Sequence, residues 1–129
     1  PRGLYLRLSP DFVRGDLVLA RLPEEARRIA DERHYLARDA LLIKRVAASR
    51  FDTVCMTGND LTINGRHAVR RLELDGEGRL MPRWRGCERL GGYHVLLLAE
   101  GEPSSFDGRY FGLVERALVI GRLVPLWIF

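Results

Sequence analysis

Residues 53–72 read TVCMTGNDLTINGRHAVRRL, and this stretch decides the fold class. Short runs rich in branched residues, at 53–56, 61–64 and 68–72, are separated by Gly58-Asn59-Asp60 and by Asn64-Gly65. Both separators are hairpin chemistry, because glycine and asparagine tolerate the positive φ that a tight antiparallel turn requires. The spacing predicts consecutive antiparallel strands.

The same grammar extends in both directions. Residues 15–22 read as a turn and a short strand, and Pro23 with Glu24 and Glu25 opens a helix whose apolar positions Ala26, Ile29 and Ala30 fall at helical spacing before Tyr35. The run at 41–48 is too short for a convincing helix and branched enough for a strand. Asp75-Gly76-Glu77-Gly78 makes another turn before a loop holding Met81 to Trp84, and further strands are expected at 93–99 and 117–120. The apolar end at 123–129 either packs as a last strand or touches a membrane surface. Many short strands punctuated by glycine predict a mostly β, barrel-like or sheet domain with one short helix.

A chain of 129 residues with 47% hydrophobic content suits one domain, spanning 1–129, with a real core. No stretch reaches the roughly 18 apolar residues of a membrane-crossing helix. The sequence opens at Pro1 without methionine, and its first residues are too polar for the apolar part of a secretory signal. It is therefore expected to continue upstream.

The formal charge is +4, yet only one of the 21 basic residues is a lysine, Lys44. Where arginine serves for every ordinary positive charge, the position that kept lysine is a candidate for what arginine cannot do, which is to lose its proton in a desolvated site. On a strand at 41–48, Lys44 shares a face with Leu42 and Val46. Apolar neighbours depress an ammonium pKa and so make a general base. The arginines are scattered and not interleaved with aromatics, which argues against a nucleic-acid partner.

A lysine base commonly activates a serine, and the chain has four: Ser9, Ser49, Ser104 and Ser105. The last two open a loop at 101–112 that is dense in polar and aromatic groups. His34, His67 and His94 have no metal-pair spacing, so neither a metal nor another cofactor is expected. Cys55, in an expected strand, and Cys87, in a turn-like context, are either free thiols in a reducing compartment or a pair in an oxidising one.

Three blocks occur in one order: Gly15-Asp16-Leu17-Val18, Ile43-Lys44-Arg45-Val46 and Ser105-Phe106-Asp107-Gly108-Arg109-Tyr110-Phe111-Gly112. In that order and spacing the chain resembles the bacterial signal peptidase I family of serine/lysine peptidases. The opening Pro1-Arg2-Gly3-Leu4-Tyr5 and the block Trp84-Arg85-Gly86-Cys87 narrow the resemblance to the conjugal-transfer, TraF-type branch.

That resemblance implies Lys44 as general base and Ser105 as the residue that orients its amine, with Asp107 and Arg109 as supporting polar residues. It implies a nucleophilic serine two residues before Pro1, outside the chain, so that these 129 residues alone would be inactive. Ser9 stands too close to Gly15 to replace it. The family usually has serine where this chain has Gly108. A disulfide between Cys55 and Cys87 is implied, as is a place on the periplasmic face of the inner membrane. The implied partners are that membrane surface and pilin or other exported precursors with small side chains before the cut. The resemblance further implies that an amine, in place of water, can resolve the acyl-enzyme and close the pilin into a ring. A self-cleaving repressor-like serine/lysine domain and a non-catalytic β-barrel interaction module are the alternatives.

Overall fold

Runs this short cannot bury themselves alone, and in the computed structural model, which describes residues 3–7, 11–37 and 39–128, they pair into two antiparallel sheets. In chain order the elements are β1 (Gly3–Arg7), β2 (Leu17–Ala20), α1 (Glu24–Glu32), β3 (Leu42–Ala48), β4 (Thr53–Thr57), β5 (Asp60–Ile63) and β6 (Arg66–Arg70). They continue with β7 (Gly86–Arg89), β8 (His94–Leu98), α2 (Gly108–Phe111), β9 (Val114–Glu115), a single 3₁₀ turn (Arg116–Leu118) and β10 (Val119–Ile128). The large sheet has the order β1-β10-β2-β3-β8-β9 and the small one β6-β5-β4-β7.

Turn residues set the small sheet. Asn64 and Gly65 both take positive φ, 52° and 80°, and Ile63 pairs directly with Arg66 across this two-residue loop. The Asn64 side chain also accepts from the Thr53 amide at 2.8 Å, which ties the turn to the start of β4.

The core lies on both faces of β8. Leu96 and Leu98 pack with Val54, Met56, Leu61 and Ile63 of the small sheet, while Val95 and Leu97 pack with Val18, Val46 and Val119 on the opposite face. Burial on two faces explains why this strand reads as a continuous apolar run instead of alternating. A register shift between Val46 and Ala48 turns Ala47 and Ala48 toward the inter-sheet core, leaving Leu42, Lys44 and Val46 on the other face. Helix α1 seats Ala26 and Ala30 over Leu22 and Leu42.

Several elements differ from the sequence expectation. Cys87 lies on the edge strand β7, not in a turn. The strand expected at 117–120 begins at Val119 and runs on through Ile128, so the apolar end is the last part of a ten-residue strand between β1 and β2. A second helix, α2, appears inside the loop at 101–112. Pro1, Ser9 and Phe129 lie outside the described residues.

Candidate active site

Lys44 is carried by β3 at the end where that strand leaves its neighbour. Strand β3 pairs with β8 from Arg45 onward, and beyond Leu98 the chain departs into the loop that leads to α2. That loop returns over Lys44. The Lys44 Nζ donates to Ser105 Oγ at 2.5 Å. Burial, the largest influence, lowers the Lys44 pKa below the ordinary lysine value. The Arg109 guanidinium acts in the same direction, and the Asp107 and Glu102 carboxylates oppose it.

Ser105 is placed by a buried ionic frame directly after it. Asp107 caps α2 by accepting from the Arg109 amide at 3.0 Å, and its second oxygen accepts from the Ala99 amide at 2.8 Å. The Arg109 guanidinium grips the same carboxylate through Nε at 2.8 Å and Nη2 at 2.9 Å, and reaches the carbonyls of Ala99 and Pro103 at 3.1 and 3.3 Å. Asp107 is 0% and Arg109 1% exposed. This frame closes the loop onto the end of β8, and Ser105 is thereby held against β3. Among the described residues, no buried side-chain polar atom lacks a hydrogen-bond partner.

Gly108, between the ion-paired residues, is packed tightly. A Cβ there would stand 2.5 Å from Leu96 Cδ1 and 3.0 Å from the Leu97 carbonyl oxygen. No hydroxyl is present at this position to join the site. Trp84 covers the other end of α2: its indole N–H donates to the Gly108 carbonyl at 3.0 Å, and its ring lies against Gly112. The block at 84–87 thus couples the small sheet to the frame.

Lys44 and Ser105 border a cleft of about 390 Å³ whose walls include Leu42, Leu72, Leu74, Met81, Phe106 and Tyr110. A second cleft of about 360 Å³, lined by Leu17, Ile43 and 98–102, meets the first at Lys44 and Glu102. The sequence had brought forward Lys44, Ser105, Asp107 and Arg109, and the structure brings these four together. Cys55 and Cys87 are joined in a disulfide across directly paired positions of β4 and β7, in the small sheet. The histidines do not line the Lys44 cleft, and no group of three or more metal-ligating side chains occurs among the described residues. Sequence reasoning missed the cleft wall at 72–81 and Tyr35. The only signal was the Asp75 turn, whose partners are distant in sequence.

The family described as "Signal peptidase, peptidase S26" matches residues 7–128. The chain belongs to this family. Two proteins named "Plasmid transfer protein TraF", both from Escherichia coli, are similar to this S26 chain. One is 32% identical, covering 98% of this chain and 77% of the relative; the other is 31% identical, covering 92% and 72%. A crystal structure of a signal peptidase I from Enterococcus faecalis shares the fold, with TM-score 0.50 and 20% identity over 88% of this chain and 97% of the other. The expected mostly β, signal-peptidase-like domain is therefore the observed one.

Proposed function

We propose that this S26 chain is the single catalytic domain, 1–129, of a serine/lysine endopeptidase. It removes leader peptides from exported conjugal-transfer proteins such as pilin precursors, at the periplasmic face of the inner membrane. The observation that carries this reading is the Lys44 amine. It is half-buried, its pKa is lowered by desolvation, and it rests on a buried serine hydroxyl at the mouth of an apolar cleft. The names of the two similar plasmid transfer proteins support the conjugal setting.

Neutral Lys44 takes the proton of the nucleophilic serine, which the family pattern places two residues before Pro1. The serine oxygen then attacks the peptide carbonyl. As the tetrahedral intermediate collapses, the Lys44 ammonium returns that proton to the leaving amine, and an acyl-serine remains. Water resolves it by hydrolysis; an amine of the same polypeptide would resolve it by closing a ring. Ser105 orients the lysine amine throughout, and Asp107 with Arg109 holds Ser105 in place.

The test uses protein carrying its native residues before Pro1 and a leader-peptide substrate. Lys44→Arg keeps the charge and much of the stem but cannot accept a proton at accessible pH. Cleavage is expected to fall more than about tenfold, roughly 1.4 kcal/mol of barrier, with the circular dichroism spectrum unchanged. In the parent enzyme the rate should rise with pH through a lysine value below about 10.4. Retention of more than about a tenth of the activity by Lys44→Arg would remove the lysine from the mechanism.

A further inference from the structure

Between β6 and β7 the chain leaves both sheets, and residues 72–81 form the wall of the cleft that faces Lys44 and Ser105. Among the described residues this segment has one isolated bridge, between Leu74 and Leu80. Backbone bonds from the Asp75 amide to the Arg79 carbonyl at 2.8 Å and from the Met81 amide to the Glu73 carbonyl at 2.9 Å shape it, together with the carboxylate of Asp75, whose side chain is 6% exposed. One oxygen accepts from the amides of Glu77 and Arg79, each at 2.9 Å, and thereby builds the turn. The other accepts from Arg79 Nε at 2.8 Å and from the Tyr35 hydroxyl at 2.7 Å. Burial would raise the Asp75 pKa, but the hydrogen bonds from Tyr35, Arg79 and Glu77 outweigh it and keep the carboxyl far below the ordinary carboxylate range.

Tyr35 connects this wall to the opposite one. Its amide is fixed to the end of α1 by the Ala30 carbonyl at 2.9 Å. Its ring packs on Phe106 at 5.2 Å between centroids, next in sequence to Ser105. Arg33 braces the junction by donating to the Tyr35 hydroxyl at 2.9 Å and to the Leu80 carbonyl at 2.8 Å. At the base of the wall the Leu72 amide donates to the Tyr110 hydroxyl at 3.0 Å, and Tyr110 stacks on the same Phe106. The Asp75–Tyr35 bond is therefore one of three ties, with Arg33–Leu80 and Leu72–Tyr110, that join the wall bearing Leu74 and Met81 to the wall bearing Ser105.

We propose that Asp75 is a positioning residue that holds the wall of this cleft in place and thereby sets the size of the leader-peptide side chain accepted beside Lys44. The inference rests on the peptidase reading above and adds to it a residue that determines specificity. Nothing in the chemistry requires Asp75 to touch the reacting atoms. Its effect passes through Tyr35 and the wall.

Two peptides that differ only in alanine or leucine before the scissile bond provide the test, with the enzyme carrying its native upstream residues. Asp75→Asn keeps an acceptor for the turn amides and loses the charged oxygen that Tyr35 and Arg79 share. Tyr35→Phe keeps the ring against Phe106 and loses the hydroxyl. Each is expected to lower the alanine-over-leucine preference in kcat/KM by about tenfold, the scale on which apolar pockets discriminate side-chain size. The change should fall on KM more than on kcat, and the double variant should lose no more than either single one. A merely structural role would lower cleavage of both peptides alike, and an unchanged preference overturns the proposal. If the parent enzyme cleaves neither peptide, the peptidase reading fails separately, and fluorescence anisotropy of the same labelled peptides tests the wall directly. A binding preference for the alanine peptide that relaxes in Asp75→Asn supports it; equal preference, or no binding by either protein, overturns it.

Discussion

The small sheet and the segment at 99–112 solve opposite problems. In the small sheet the strands are held by local or covalent devices: the Asn64-Gly65 turn with both φ values positive, and the Cys55–Cys87 bond between paired strands. Its polar groups remain near water. The segment at 99–112 buries an aspartate, an arginine and a serine under a four-residue helix. Taking two charges out of water is costly, and an apolar replacement of similar volume is often no less stable. The frame makes sense as placement: it fixes Ser105 against Lys44, and Lys44 in turn is desolvated by the same closure. One region secures the fold, and the other holds the proposed catalytic arrangement.

The largest test of that contrast is Asp107→Ala. It strands the Arg109 guanidinium in the interior, and urea denaturation is expected to show a loss of about 3–5 kcal/mol, together with loss of cleavage as Ser105 is released. Next comes the double substitution Cys55→Ser with Cys87→Ser. The bond spans a sequence separation of 32, and its removal should cost roughly 3–4 kcal/mol in the chain-entropy model. Under conditions where the protein stays folded, cleavage by this variant should match the parent; a specific loss of activity would mean the two regions are not separable. Non-reducing intact mass of the parent should be lower by two hydrogens than after reduction.

Gly65→Ala forces a Cβ into φ 80° and should cost about 1–2 kcal/mol, with kcat unaffected. The smallest effect is linkage at Lys44. Because the folded-state pKa is lowered, the unfolded chain binds more protons between that value and the ordinary lysine value, so stability rises with pH across this window. Lys44→Met should flatten that rise in denaturant titrations repeated at several pH values. A slope that persists would assign the linkage to another group.

Much of this was legible in the sequence because the signals were local. Asn64-Gly65 and Gly58-Asn59-Asp60 announce hairpins without reference to anything distant. Lys44 stood out as the lone lysine among arginines, and its face with Leu42 and Val46 followed from strand alternation. What stayed hidden depends on long-range partners. Strand β7 is exposed along its whole length, so no alternation marks it, and Gly86 with φ 101° disguised its start as a turn. Helix α2 is one turn long, too short for periodicity. Asp75 was visible as part of a turn, but its tie to Tyr35 crosses 40 residues and no pattern predicts it. The resemblance supplied Ser105, Asp107 and Arg109, whose burial the sequence alone did not reveal.

The tight seat of Gly108 constrains how this chain can change through descent. A Cβ at this position would press on Leu96, which is itself fully buried, and on the Leu97 carbonyl. A serine here would therefore need its neighbours to shift as it arrives. A smaller residue at 96 would make room for it, but alone that change opens a cavity in the inter-sheet core. Substitutions at positions 96 and 108 are therefore expected to be non-additive, each costing more alone than beside the other.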